Sequence, residues 1–228
     1  MAVLASSILS RVRSQLIDTG SAPRWTDAEL LRWLSDGQRT IAALQPDVAA
    51  KVGVVMLEAG TRQRIPADGR QLLTVIRNMG ADGQTPGRSV RIIMREIIDA
   101  QMWDWHQAPK QQVAVNYIYD PQDQKAFFVY PPNNGSGSVE INYQFIPPEI
   151  TTTDQAITLD DIFSVPLTDY VLFRAHQKDA DSSGGLASAQ LFLQAFTLFV
   201  TGTETGDIDS NANQQLTPFD SSKKATAK

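Results

Sequence analysis

The sequence predicts an α+β fold: a helical bundle formed by N- and C-terminal helix pairs, with an inserted antiparallel β-rich region and an extended C-terminal tail. Three observations support this prediction. Apolar residues recur with helical spacing in 1–46 and in 151–201, whereas they alternate with polar residues through much of 47–150. Residues 202–228 are polar, with few large apolar side chains, and are expected to be extended or disordered. These four segments are the predicted domains.

The N-terminal pair begins with a helix expected over about residues 3–18, whose apolar residues follow a spacing close to i, i+4, i+8. The segment 18–23 is rich in helix breakers and predicts a turn. A short connection of this kind favours an antiparallel helical hairpin.

The second helix, over residues 24–46, is the expected organiser of the core. Thr26 occupies an N-cap position, and Glu29 three residues later completes a capping-box pattern. Trp25 and Leu30 have the spacing of a hydrophobic staple. Gly37 is expected to be its weak point, because glycine costs about 1 kcal/mol against alanine in a helix interior. The predicted bundle core comprises Trp25, Leu30, Trp33, Leu34 and Ile41, and Leu44 extends the same face.

The middle of the chain predicts strands. Two extended runs flank Ala59–Gly60, which suggests a hairpin, and 71–79 and 89–94 are further strand candidates. Residues 82–87 form a predicted loop, and 95–101 a short helix. Residues 111–146 predict one antiparallel meander, in which Val113, Val115, Tyr117 and Tyr119, and later Val139, Ile141, Tyr143 and Phe145, alternate with other residues.

The C-terminal pair is predicted from Pro166, which suits a first helical turn, to Lys178, and then over about 186–200. The apolar stripe of the last helix is expected to be Leu186, Ala189, Leu193, Phe196 and Val200.

Six runs, in this order along the chain, resemble one family: RWTDAELLRWLSDGQRTIAALQPD, GTRQRIPADG, LLTVIRNMGADG, REIIDAQMWDWH, FFVYPP and DYVLFRAHQKDA. Together they resemble the head-to-tail adaptor, or connector, proteins of tailed bacteriophages. The resemblance implies a virion protein of the neck, made in the host cytoplasm, whose partners are the portal protein and a tail or nozzle protein. It also implies a homo-oligomeric ring, commonly a dodecamer, through which genomic DNA passes without specific binding.

The same resemblance implies that the C-terminal segment reaches the portal. Leu216 and Phe219 are then its expected docking anchors. The alternative is that the polar tail simply frays.

Composition narrows the function classes. The net charge of −5 argues against tight nucleic-acid binding and is compatible with a channel through which DNA slides. Cysteine is absent, which excludes disulfides and thiolate metal sites. No apolar run is expected to approach the roughly 18 residues of a membrane span, so no membrane partner is predicted.

No catalytic motif is present, and neither a cofactor nor a metal site is predicted. The two histidines, His106 and His176, lie far apart in the sequence, and Asp104 alone does not complete a ligand set. A structural protein is therefore the favoured interpretation, and a virion-associated enzyme such as a cell-envelope hydrolase is the alternative.

Interface candidates come from the middle third of the chain. Trp103 and Trp105, the loops 80–88 and 131–138, and the basic residues Arg88 and Arg91 are the expected contact points. The basic residues belong to a larger arginine-rich set: Arg62, Arg64, Arg70, Arg77, Arg88, Arg91 and Arg95. The alternatives are that these arginines form a solvated face and that the two tryptophans pack a helix–sheet junction.

Overall fold

A computed structural model describes residues 3–179 and 184–210. The chain divides into two compact units, one formed by 46–148 and the other by the flanking segments 1–45 and 149–228. The helices of the described residues are α1 (Ala5–Gln15), α2 (Asp27–Leu44), α3 (Arg95–Gln101), α4 (Ser164–Lys178) and α5 (Gly185–Ser210). The strands are β1 (Ala50–Met56), β2 (Gly60–Arg64), β3 (Gly69–Met79), β4 (Pro86–Ser89), β5 (Arg91–Ile92), β6 (Asn116–Tyr119), β7 (Ala126–Asn133) and β8 (Ser138–Phe145). The predicted α+β class is confirmed.

The start of α2 follows its local signals. The Thr26 hydroxyl accepts a hydrogen bond from the Glu29 backbone N–H at 3.3 Å, as an N-cap should. The Glu29 carboxylate, however, accepts a hydrogen bond from Lys178 at the end of α4. The capping-box glutamate therefore also links two helices that are distant in sequence.

Gly37 lies where α2 packs closely on α4. A Cβ atom at this position would lie 3.0 Å from both Leu167 Cδ2 and Tyr170 Cδ1. Glycine at this position therefore allows the two helices to approach, a role that the sequence analysis did not predict. Leu44 is also corrected: its side chain is exposed, and Gln45 instead donates a 2.6 Å hydrogen bond to the carbonyl of Val200 on α5.

The helix α4 packs against α1, α2 and α5. Pro166 lies in its first turn, where a missing N–H costs no hydrogen bond. The contact with α5 includes the rings of Tyr170 and Phe196, whose centroids are 5.2 Å apart. The stripe predicted for α5 is partly wrong, because Leu186 and Leu193 lie beside the buried face and are exposed.

The last helix is also longer than predicted. It runs through Ser210 and does not end near Val200, so residues 202–210 of the predicted extended tail are helical. The predicted anchors Leu216 and Phe219 lie outside the described residues.

The β-rich unit contains two four-stranded sheets, with strand orders β1-β8-β3-β4 and β2-β7-β6-β5. The hairpin predicted around Ala59–Gly60 is wrong, because β1 pairs with β8 and β2 pairs with β7. The single meander is wrong for the same reason: β7 and β8 follow one another in sequence but belong to different sheets. Both sheets contribute to one core, formed by Leu57, Ile65, Leu72, Val75, Val90, Ala114, Tyr117, Phe127, Val129, Val139, Ile141 and Tyr143.

Some strand signals were accurate and others were not. The alternation in β8 is confirmed for Val139, Ile141 and Tyr143, which are buried. It is wrong at the end of the strand, where Gln144 is fully buried and Phe145 is only partly buried. The strand predicted from Val113 to Tyr119 is shorter than expected, because β6 begins at Asn116 and Val113 is exposed. The candidate strand 89–94 is reduced to β5, which pairs in parallel with β6.

The connection between β7 and β8 is held by a buried asparagine. Asn133 Oδ1 accepts hydrogen bonds from the backbone N–H groups of Gly135 and Gly137, at 2.8 and 3.2 Å. Its Nδ2 donates to the Gln112 carbonyl at 2.9 Å. The predicted loop 131–138 is therefore smaller than expected, since its first three residues belong to β7 and are buried.

Replacing Gly137 with alanine should destabilise this unit. The new Cβ would lie 2.2 Å from the Gln112 carbonyl oxygen and 2.4 Å from Asn133 Nδ2, so backbone must move. We expect a loss of about 1–3 kcal/mol in the free energy of unfolding, measured by urea denaturation. The matched control is Gly20→Ala, where nothing lies within 4 Å of the added atom. Equal denaturation midpoints for the two variants would contradict the close approach.

Candidate interaction surfaces

The two histidines are held by local contacts in different units. His106 Nδ1 lies 2.8 Å from the Thr61 hydroxyl, and its ring stacks on Trp105 with centroids 3.6 Å apart. The ring of His176 stacks on Phe192 at 5.5 Å. Among the described residues, no group of three or more His, Cys, Asp or Glu side chains is placed to hold a metal ion.

Lys51, Asp68 and Tyr143 form a cluster of titratable side chains. The Tyr143 hydroxyl donates to the Asp68 carboxylate at 3.2 Å, and Lys51 Nζ lies 3.3 Å from the same carboxylate. Burial and the negative charge of Asp68 raise the pKa of Tyr143, and the hydrogen bond to Asp68 raises the pKa of Lys51. Both shifts favour the protonated forms, so neither group is activated as a base or a nucleophile. The cluster connects β1, β8 and the segment before β3.

Most of the arginine-rich set of the middle third is exposed, and part of it is paired. Arg62 contacts Asp123 and Arg77 contacts Glu140, each at 2.9 Å. Arg95 lies between Asp99 at 3.6 Å and Asp120 at 3.8 Å.

Two tryptophans separated by one residue have opposite environments. The exposed fraction of Trp103 is 85%, whereas that of Trp105 is 2%. Trp105 Nε1 donates a 2.8 Å hydrogen bond to Asp99, and its ring packs with Ile98 and Ile118. Trp105 therefore belongs to the core between α3 and the sheet and offers no surface to a partner. Packing at a helix–sheet junction was the alternative that the sequence left open for this residue. Of the two tryptophans, Trp103 alone remains an interface candidate.

The stretch from β4 to the start of α3, which includes an edge strand of each sheet, exposes both basic and apolar groups. We call Arg88, Arg91, Ile92 and Met94 the β-edge surface; all four side chains are exposed. Among the described residues, neither Arg88 nor Arg91 makes an ion pair. An open cleft of about 450 Å³ adjoins the surface, lined by 92–96 and 119–122. Exposed arginines beside apolar side chains are typical of protein interfaces.

The loop between β3 and β4 is organised by Asp82. Its carboxylate accepts hydrogen bonds from the Thr85 hydroxyl at 2.6 Å and from the backbone N–H groups of Gln84 and Thr85, each at 3.0 Å. These bonds, with that of the Thr85 hydroxyl the strongest, lower the pKa of Asp82 to about 2. The loop is therefore a defined turn at neutral pH, as a contact surface requires.

This turn gives a pH prediction. The pKa of Asp82 is lowered in the folded state, so the ionised carboxylate stabilises the fold. This stabilisation is complete at pH values above the ordinary carboxyl pKa range and is lost as the pH falls towards 2. An NMR titration of the side-chain carboxyl should therefore show a midpoint near 2. In Thr85→Val, which removes the hydroxyl donor at similar volume, the midpoint should rise. A midpoint in the ordinary carboxyl range for the unchanged protein would contradict the hydrogen-bonded turn.

The strand β1 presents an apolar face that the sequence analysis did not identify as a surface. Val52, Val54 and Met56 are exposed, whereas Val55 on the other face packs against the core. β1 is an edge strand of its sheet, paired along its length with β8. Apolar residues on both faces of this run were the signal, because a strand with one solvated face would alternate apolar and polar side chains.

The helix α5, like β1, has an exposed apolar face. The exposed fractions of Leu191 and Leu198 are 67% and 74%. The stretch Gly185–Gly202 is long and apolar enough to cross a membrane by length and composition alone, which corrects the expectation from the sequence. The stretch is 22% buried, and one helix that passes a test of length and composition is weak evidence for a membrane span.

Comparison with known families gives one result that spans both units. The sequence model of the family described as SU10 adaptor protein matches residues 4–217. No curated protein matches the chain.

Proposed function

Because the chain belongs to the SU10 adaptor protein family, whose members connect phage heads to tails, we propose that it forms a homo-oligomeric ring between the portal protein and the tail or nozzle protein. The ring is a dodecamer, and genomic DNA passes through its channel. The observation that carries this proposal is the family match, which extends over residues 4–217 and so includes both structural units.

The helical unit is suited to be the body of each subunit. Its buried residues include all five that the sequence assigned to a bundle core: Trp25, Leu30, Trp33, Leu34 and Ile41. The rings of Trp25 and Trp33 meet edge to face, with centroids 5.6 Å apart. Ion pairs connect its ends, as between Arg24 and Asp179 at 2.6 Å. We propose that α1, α2, α4 and α5 form a four-helix bundle that gives the ring its rigidity.

The β-rich unit is suited to contact another tail component. The β-edge surface and Trp103 expose arginine, aromatic and apolar side chains, which are enriched at protein interfaces. The Asp82 turn, in the loop before β4, supplies a defined backbone in the same unit. We assign these residues to the contact with the tail or nozzle protein.

The channel needs no specific contact with DNA. The net charge of the chain is −5, and like charges reduce adhesion between protein and nucleic acid. Mechanism therefore means geometry: repeated surfaces hold partners around an axis through which DNA moves.

The portal contact is assigned to residues 211–228, with Leu216 and Phe219 as anchors. Because α5 extends to Ser210, a chain ending there keeps the helix intact. Deleting 211–228 should abolish co-sedimentation with the purified portal protein, while the circular dichroism melting curve stays unchanged. A second test is the double variant Leu216→Ala with Phe219→Ala in the full chain, which should weaken portal binding similarly. Unchanged portal binding by both variants would exclude the tail as the docking element.

A further inference from the structure

The outward face of α5 carries a regular apolar stripe. Its residues follow the 4-4-3-4 spacing that places side chains in one line along a helix: Ala187, Leu191, Ala195, Leu198 and Gly202. All five are exposed, and they lie on a different side of α5 from the residues buried against α4. We call this set the α5 stripe. Small residues alternating with leucine allow a second helix to approach closely.

The same stretch is free of charge. No Asp, Glu, Lys or Arg occurs between Gly185 and Gly202, although charged residues make up 20% of the chain. Solvent-facing helix surfaces ordinarily carry charged side chains, and the cores of protein interfaces are depleted of them. The stripe is therefore suited to be covered in the assembled protein.

The outward face of α1 complements it. Ser7, Ser10 and Ser14 are exposed on the side of α1 opposite Ile8 and Val12, which are fully buried. We call these three the α1 serine row. Its first and last members are seven residues apart, the same interval that separates Leu191 from Leu198. Serine side chains are small, so the row leaves space between turns for larger side chains of a facing helix.

We propose that the α5 stripe of one subunit packs on the α1 serine row of the next, with Leu191 and Leu198 entering the spaces beside the serines. This assignment rests on the proposed ring. The contact joins two different faces of the same helical unit, because α1 and α5 both pack on α4. Such a heterologous contact repeats from copy to copy and closes into a ring when the rotation permits.

A membrane is a poorer occupant for the same surface. Helices that lie on membranes carry lysine and arginine along their polar face, and α5 has neither between Gly185 and Gly202. Crossing a bilayer would also separate the aromatic contacts that hold α5 on α4, such as Phe196 with Tyr170, whose ring centroids are 5.2 Å apart. Two leucines with three small residues form a modest contact, smaller than the roughly 800 Å² per partner of a stable complex. The subunit is therefore expected to be monomeric until the portal collects several copies.

Cysteine cross-linking tests the contact directly, because the natural chain has no cysteine. Ser10→Cys protein is mixed with Leu191→Cys or with Leu198→Cys protein, assembled on the portal, and treated with a short bismaleimide. The inference predicts cross-linked dimers in these mixtures and none from either variant alone. The control mixture pairs Leu198→Cys with Arg32→Cys, an exposed position on α2, and should stay unlinked. Dimers from Leu198→Cys alone would show α5 meeting α5 and would overturn the inference.

Charge insertion gives an independent readout in the full chain. Leu191→Glu with Leu198→Glu should reduce ring formation on the portal at least about tenfold, because two carboxylates would be buried at the contact. Gln190→Glu with Thr197→Glu has the same seven-residue interval on an exposed polar row of α5 and should have much less effect. Equal losses for the two pairs would overturn the inference, as would leucine-dependent binding to vesicles of phosphatidylglycerol and phosphatidylethanolamine.

The two levels of the proposal fail in different ways. If the unchanged chain forms no ring on the portal, the proposed function fails. If rings form but the Ser10→Cys and Leu198→Cys mixtures stay unlinked, the adaptor role stands and the α5–α1 contact is wrong.

Discussion

Replacing Trp105 with alanine should lower the free energy of unfolding by about 3–5 kcal/mol, among the largest single effects in this protein. The side chain is 2% exposed and fills the space between α3 and the sheet, beside Ile98 and Ile118. Alanine would leave a cavity that these branched side chains fill only in part. The change also removes the Nε1 hydrogen bond to Asp99, formed at 2.8 Å.

The matched control lies two residues away. Trp103 is 85% exposed, so Trp103→Ala should change the free energy of unfolding by less than about 0.5 kcal/mol. Its expected effect is on binding: affinity for the tail or nozzle protein should fall about tenfold or more, as for a buried aromatic anchor at an interface. Urea denaturation and a binding titration on both variants separate the two roles. A stable Trp105→Ala protein would contradict the core assignment.

Replacing Asn78 with alanine should cost about 3–5 kcal/mol, because one buried side chain satisfies three backbone groups. Its Nδ2 donates to the carbonyls of Arg88 and Ala114, at 2.9 and 2.7 Å. Its Oδ1 accepts from the Ala114 N–H at 2.8 Å. Alanine leaves all three groups without this partner, in a region where Ala114 is fully buried.

The control is Asn116→Ala, also an asparagine of the β-rich unit. Asn116 makes one exposed hydrogen bond of 3.4 Å to the Arg91 carbonyl, so its loss should cost less than about 1 kcal/mol. Denaturation midpoints measured on the two variants under one condition provide the comparison. Similar costs for both would show that Asn78 does not hold β4 and the segment before β6 together.

Elements with local signals could be predicted from the sequence. The start of α2 is an example, because its N-cap depends on a hydrogen bond between Thr26 and Glu29, which are only three residues apart in the sequence. The first turn of α4 at Pro166 was another. Local chemistry dominates at such positions, and tertiary contacts add to it.

Strand pairing could not be predicted in the same way. The alternation of Val139, Ile141 and Tyr143 showed that β8 has a buried face, but not which strands it joins. β8 pairs with β1 and β3, both far earlier in the chain, and not with its sequence neighbour β7. Side-chain periodicity defines faces, whereas partners depend on contacts between distant segments.

The surfaces were the hardest part to predict. Trp103 and Trp105 look alike in the sequence, and only the packing of α3 on the sheet separates them. The predicted stripe of α5 did not include Leu198, and a helix that is apolar on several sides gives no sign of which side is covered. Gly37 looked like a defect because its role depends on α4, more than a hundred residues later in the chain.

A cryo-EM map of the virion neck tests the central claim most directly. The account predicts a ring of this chain between the portal and the tail, with α5 of each subunit against α1 of the next and residues 211–228 on the portal. Density for this chain elsewhere in the particle, or a neck without such a ring, would contradict the adaptor role.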